Sequence, residues 1–300
     1  LSESFWDPTW LDGVEIAPDP LPSFRRLAAG TNGCSFLSVS PIFGGFTCKA
    51  EYELLTGLSL AVLPHWVVPH TQHFNKNVPA LPAVFRENGY ATVAIHSFLP
   101  EFWNRNLVYP QIGFDRFIHI GTMAHKEVKG KFISDNAVAD EILDTLAAAD
   151  GPAFVFAVTM QNHSPYGDGR YGAVEAETVS VKREGISAGA VRDYVHGIRD
   201  ADAMLDKLTR RLAASSRPVL LLFVGDHQPS LIPVATEPGL YSQPLRPDAG
   251  DPNMRVGRNF AGPALAWSNR GRPSGLPGTV SLAALPAWVL RQAGLHPPPF

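Results

Sequence analysis

Apolar positions along this chain gather into short unbroken runs separated by helical periodicities. Ala153-Phe-Val-Phe-Ala-Val158 and Val219-Leu-Leu-Leu-Phe-Val224 are continuous apolar stretches of strand length. Such runs suit strands covered on both faces. Ala91-Thr-Val-Ala-Ile-His96 reads as a third strand, after a helix near Leu81 to Asn88 that Gly89 stops. Val191 to Ala214 has helical spacing, with Arg192, Asp193, Arg199, Asp200, Asp202, Asp206, Lys207, Arg210 and Arg211 expected on a solvated face. Leu282 to Gly294 reads as a short helix closed by its glycine. Tyr166 to Ala188, rich in Gly and charge, reads as a loop. So does Gln228 to Gly262, with Pro229, Pro233, Pro238, Pro244, Pro247 and Pro252.

Strands alternating with helices predict an α/β sandwich, with a mainly parallel central sheet and helices on both faces. Ligands collect at the carboxyl ends of such strands. Asp226-His227 and His163 each follow a strand at that end, and His96 closes another. No repeat or linker divides the chain, so residues 1–300 are expected to form one domain.

Composition narrows the picture. The chain has 300 residues, 45% of them hydrophobic, enough for one large core. A formal charge of −3 lacks the basic excess of a general nucleic-acid binder. No stretch approaches the roughly 18 apolar residues of a membrane span. The chain opens on Leu-Ser-Glu-Ser without a signal peptide or initiator Met. It reads as a domain excised from a longer protein, cut inside a strand that leads to Glu3. Cys34 and Cys48 either pair, which requires an oxidising compartment, or stand as thiols; no C-x-x-C motif is present.

The candidate chemistry is spread along the chain. Thr47 follows Gly44-Gly45 and opens a helical stretch that reaches Gly57. A hydroxyl there meets free N–H groups and the positive end of the helix dipole. Gly225 permits a sharp exit from the strand before Asp226-His227. With Glu3, these side chains make a mixed N/O set suited to Mn²⁺, Mg²⁺ or Zn²⁺. Such an ion makes a hydroxyl nucleophilic at neutral pH. His96, Trp103, Arg105 and His163 offer a guanidinium fork, imidazole donors and an apolar wall for a phosphate or polar head group. Taken singly, Thr47 fits an ordinary N-cap, Glu3 a solvated acid, and the histidines and Trp103 core side chains.

Together the segments resemble the lipoteichoic acid synthase and phosphoglycerol transferase family, within the sulfatase and alkaline phosphatase superfamily. The resemblance rests on Glu3-Ser4-Phe5, on Gly44-Gly45-Phe46-Thr47 with Ala50-Glu-Tyr-Glu-Leu-Leu-Thr-Gly57, and on Gly89-Tyr90 with His96. It continues through Phe102-Trp-Asn-Arg105, Gly113-Phe-Asp115, Asn162-His-Ser-Pro-Tyr166 and Gly225-Asp-His227, over nearly the whole chain. It implies a sulfatase-like catalytic domain in which Glu3, Thr47, Asp226 and His227 ligate one divalent cation, manganese first, with magnesium or zinc as alternatives. Thr47 would be the nucleophile. His96, Trp103, Arg105 and His163 would line the glycerol-phosphate pocket. The donor would be an anionic phospholipid, phosphatidylglycerol, and the acceptor a glycan or growing polymer. A histidine such as His163 would protonate the leaving oxygen. The domain would face the outside of the cytoplasmic membrane, anchored by an N-terminal membrane region. The alternatives are phosphoethanolamine transfer, sulfatase or phosphodiesterase-type hydrolysis, and a non-catalytic binding domain. Sulfatase chemistry ranks lower, because Cys48-Lys-Ala-Glu-Tyr52 lacks the Pro and Arg of the Cys/Ser-x-Pro-x-Arg pattern.

Overall fold

The computed structural model describes residues 1–11, 13–64, 66–72, 78–167, 169–172, 178–182, 185–231 and 260–296. Its strands are β1 (Val14–Ala17), β2 (Gly33–Val39), β3 (Ala91–His96), β4 (Arg116–His119), β5 (Val128–Lys129), β6 (Phe132–Ile133), β7 (Ala153–Val158), β8 (Thr178–Val181), β9 (Leu220–Val224), β10 (Ala261–Ser268) and β11 (Thr279–Ser281). The α-helices are α1 (Pro22–Ala29), α2 (Thr47–Thr56), α3 (Pro69–Gln72), α4 (Leu81–Glu87), α5 (Arg105–Gln111), α6 (Asp135–Ala147), α7 (Ala188–Ala213) and α8 (Leu285–Gln292).

Two sheets form the centre, ordered β4-β3-β7 and β9-β10-β2-β11. The first residues of the chain join them. The Leu1 amino group donates to Ala157 O at 2.7 Å, and Thr159 N–H donates to Leu1 O at 3.1 Å. On the other side, Ser2 N–H donates to Val224 O at 2.8 Å, and Ser2 pairs with Gly225 in parallel. Glu3 is thereby delivered to the carboxyl ends of β7 and β9 together. Below this junction the facing edges of β7 and β9 border a cavity of about 1090 Å³, lined by Phe154, Leu222, Leu81 and Met204. It reaches the back of the candidate site only at Ser2 and Thr159.

The mainly parallel expectation holds. β10 alone runs against its neighbours β2 and β9, while β3, β4 and β7 pair in parallel, as do β2 and β11. Apolar layers cover both faces. One contains Ile95, Tyr194, Ile198 and Leu205, with α6 and α7; the other contains Ala94, Leu55, Tyr109 and Trp288, with α2, α5 and α8. Central strands with both faces covered must be apolar throughout, which explains the unbroken runs.

Two expectations change. The stretch 166–188 contains β8, paired antiparallel with β1 through Val179 against Ile16. Alternation there is short and lies amid charge, so its period was masked. Asp193 and Asp202 of α7 are not solvated; they are 7% and 3% exposed. Asp202 accepts from Ser23 and Phe24 N–H at 2.9 and 2.7 Å and so caps α1, whose own N-cap, Leu21, has no side-chain acceptor. Asp193 accepts from Gly167 and Gly169 N–H, holding the loop after His163. Cys34 and Cys48 are free thiols. The prolines expected in a loop at 233, 238, 244, 247 and 252 lie outside the described residues.

Candidate active site

The chain's first residues, the end of β9 and the start of α2 place four polar side chains in one buried cluster. Glu3 leaves the junction between β7 and β9, and Asp226 and His227 leave β9. Thr47 opens α2 after three consecutive residues of positive φ: Gly44, Gly45 and Phe46. The left-handed path, easy for the two glycines, turns the chain sharply so that α2 points its N-terminus at the cluster. No side chain caps that terminus. Gly225 has a different reason: a Cβ there would stand 2.2 Å from Phe5 O. Only a glycine lets β9 approach the 2–5 turn this closely.

The geometry is tight. Thr47 Oγ1 donates to Asp226 Oδ2 at 2.8 Å. His227 Nε2 lies 3.1 Å from Asp226 Oδ2 and 3.6 Å from Glu3 Oε1. Ligand atoms of Glu3, Asp226 and His227 all lie within 4.8 Å of one another. Exposures are 2% for Glu3, 5% for Thr47, 0% for Asp226 and 7% for His227. Ser4, at φ 51°, donates its N–H to Asp226 Oδ1 at 2.7 Å and its hydroxyl to Glu3 Oε1 at 2.8 Å. It fixes both carboxylates.

Electrostatics show what the cluster lacks. Burial, then the charge of Asp226, raises the Glu3 pKa to about 8. For His227 burial acts downward, but Asp226 and Glu3 outweigh it and the pKa rises. Two buried carboxylates side by side therefore call for positive charge. A divalent cation would supply it, and the donor set of carboxylate oxygens, imidazole and hydroxyl fits one.

The second group of expected residues lies beside the first. Trp103 and Asn104 both have positive φ, and this turn brings Trp103 within 5.3 Å (ring centroids) of Phe46, next to Thr47. Phe102 connects the group: its ring lies 5.6 Å from Trp103, 6.4 Å from His96 and 6.3 Å from His163. His163 also feels the charges of Asp226 and His227. Burial lowers its pKa, and its Nδ1 contacts Ser164 O at 2.7 Å. Nδ1 therefore carries the proton and Nε2 is left as an acceptor. His96 is wholly buried, with its pKa pushed down to about 3 by burial and then by Arg105. Arg105 Nη1 donates to its Nε2 at 3.1 Å, and Nδ1 faces Val158 O at 3.2 Å, which fixes a neutral imidazole.

Arg105 is the residue whose setting differs most from expectation. Its guanidinium is 1% exposed and pairs with Glu51 through Nε, at 3.1 and 3.2 Å, and through Nη2. Tyr109 Oη donates to Glu51 Oε2 at 2.6 Å, and His70 Nε2 lies 3.4 Å away. Burial pushes the Glu51 pKa up, but Arg105 and then His70 hold it well below the carboxylate range. Sequence reasoning assigned no role to Glu51, Tyr109, Phe102 or Ser4. Glu51 had a signal: it lies four residues beyond Thr47, one turn along the same face of α2. Cys48, by contrast, is 0% exposed, and its thiol is raised to about 12 by burial and then by Glu51. It is not poised as a nucleophile.

Comparison with known proteins shows the family and the fold. The sulfatase family model matches residues 1–295. A putative cyclic beta-1,2-glucan modification protein of Rhizobium meliloti is 35% identical over 302 residues, covering 99% of this chain and 45% of that protein. Lipoteichoic acid synthase 1 of Bacillus subtilis is 25% identical over 223 residues, covering 72% of this chain and 33% of that protein. The chain thus spans less than half the length of either relative. The phosphoglycerol transferase GacH of Streptococcus pyogenes, solved with sn-glycerol-1-phosphate, shares the fold. Its TM-score is 0.79 at 22% identity, over 97% of this chain and 72% of that one. With a family match over nearly its whole length, the chain belongs to the sulfatase family.

Proposed function

We propose that this domain transfers a phosphoglycerol group from an anionic phospholipid, phosphatidylglycerol, to a glucan acceptor through a phosphothreonine intermediate. The observation that carries the reading is the Thr47 hydroxyl, 2.8 Å from Asp226 Oδ2 at an uncapped helix N-terminus, inside the Glu3-Asp226-His227 cluster. Glu3, Thr47, Asp226 and His227 would hold one divalent cation, Mn²⁺ first and Mg²⁺ or Zn²⁺ as alternatives. When bound, it supplies charge that favours the Thr47 alkoxide and the transferring phosphoryl oxygens.

Asp226 orients the Thr47 hydroxyl for attack on phosphorus. A bond forms from Oγ1 to phosphorus, the bond to the diacylglycerol oxygen breaks, and diacylglycerol leaves with a proton. The N-terminus of α2 stabilises negative charge on the phosphoryl group. Trp103 and Phe46 wall the approach. In the second step the acceptor oxygen bonds to phosphorus, the bond to Thr47 Oγ1 breaks, and Oγ1 regains a proton; His163, neutral at pH 7, is better suited to take the acceptor hydroxyl's proton here than to give one in the first step. Arg105 supports the pocket from below, through His96 and Phe102 O, the latter at 2.9 Å.

A glucan acceptor is favoured by the named role of the Rhizobium relative. By the family resemblance the domain would work on the extracytoplasmic face, held at the membrane by a region outside residues 1–300. Among the described residues, no helix is long and apolar enough to cross a membrane. The test is incubation with phosphatidylglycerol and Mn²⁺, followed by peptide mass spectrometry. A phosphoglycerol adduct on Thr47, and no diacylglycerol release by Thr47→Ala, support the reading. Release by Thr47→Ala at the parent rate refutes it.

A further inference from the structure

Glu3 and Ser4 sit in a turn closed by Phe5 N–H on Ser2 O at 3.3 Å, with Ser4 at φ 51°. A serine gains nothing intrinsically from that conformation, so something must hold it. Two hydroxyls far away in the chain do so from opposite sides. Tyr194, 0% exposed in the middle of α7, points its hydroxyl at Ser4 O and Trp6 O, at 2.8 and 2.9 Å. Thr159, 2% exposed just beyond β7, accepts the Glu3 N–H on Oγ1 at 3.0 Å. Neither side chain is a cation ligand.

We infer that Tyr194 and Thr159 are positioning residues that fix the Glu3–Ser4 turn and thereby set the affinity of the cation cluster. Ser4 and Trp6 are 1% and 3% exposed, so no water replaces the Tyr194 hydroxyl if it is lost. The turn then relaxes to find other donors. Ser4 N–H leaves Asp226 Oδ1 and Ser4 Oγ leaves Glu3 Oε1, because one residue makes all of these contacts. The Tyr194 ring also packs edge-on against Tyr166, 5.4 Å away, so the segment after His163 rests on the same post.

This inference rests on the cation reading above and is tested without turnover. Apo parent, Tyr194→Phe and Thr159→Val are each titrated with Mn²⁺ by calorimetry, and their melting is followed with and without the ion. Both variants keep the shape of the parent side chain. The expected result is a Kd for Mn²⁺ raised about tenfold or more in each, with a smaller metal-induced rise in Tm. A merely structural role would lower the apo Tm and leave Kd unchanged. Parent-like Kd values in whichever variants fold overturn the inference and leave the cation reading standing. No Mn²⁺ binding by the parent overturns both.

Discussion

Replacing Arg105 with Met tests the pair beneath the site. Arg105 and Glu51 are 1% and 0% exposed, and Tyr109 and His70 complete the ring around the carboxylate. Removing the guanidinium leaves a buried charge without its main partner. Such a loss costs about 3–5 kcal/mol. Spread over a chain of 300 residues, whose unfolding entropy is about 2.1 cal/mol/K per residue, this lowers Tm by about 5–8 °C. Burial, no longer opposed by Arg105, then pushes Glu51 toward its protonated form. Glu51→Gln with Arg105→Met removes both charges, and most of the lost stability should return, although activity should not. The assay is thermal melting of the parent, both single variants and the double variant in excess chelator at pH 7. If Arg105→Met alone melts with the parent, the guanidinium is not held by Glu51, and its place in the substrate pocket must be reconsidered.

Gly225→Ala forces a methyl group to within 2.2 Å of Phe5 O. It should cost about 1–3 kcal/mol and weaken Mn²⁺ binding by displacing the 2–5 turn, read by melting and calorimetry. His96 adds an acid limb to stability. Its pKa is about 3 in the fold and about 6.5 when unfolded, so between those values the unfolded chain binds the extra proton. Stability should therefore fall as pH drops through this window, by about 1.4 kcal/mol per unit from this group. His96→Gln should flatten that limb in chelator, and an unchanged limb would refute the neutral assignment. Cys48→Ala should leave a Thr47-dependent transfer running, because the buried thiol is no nucleophile; loss of transfer with parent-like folding and Mn²⁺ affinity would contradict this.

The sequence revealed the elements whose burial is two-sided. The runs at 153–158 and 219–224 read as strands covered on both faces, and their carboxyl ends located His163, Asp226 and His227. Glu3 was readable only through its family pattern, since nothing local distinguishes it. The connecting device is three-dimensional: residues 1–2 bridge β7 and β9, strands separated by more than sixty positions. β10 escaped altogether, because Gly262 and Pro263 interrupt its apolar run. Asp193 and Asp202 carry charges that looked solvated; their partners are backbone N–H groups, which no side-chain pattern displays. Arg105 illustrates the same limit. Residue type suggested a phosphate fork, and the fold gave it the Glu51 carboxylate, four residues past Thr47.

The central claim is that one cation is shared by Glu3, Thr47, Asp226 and His227. Anomalous diffraction at the manganese edge, from crystals grown with Mn²⁺, tests it directly. A single strong peak within coordination distance of all four side chains is expected. A peak elsewhere, or none in crystals whose turnover depends on the metal, would contradict it.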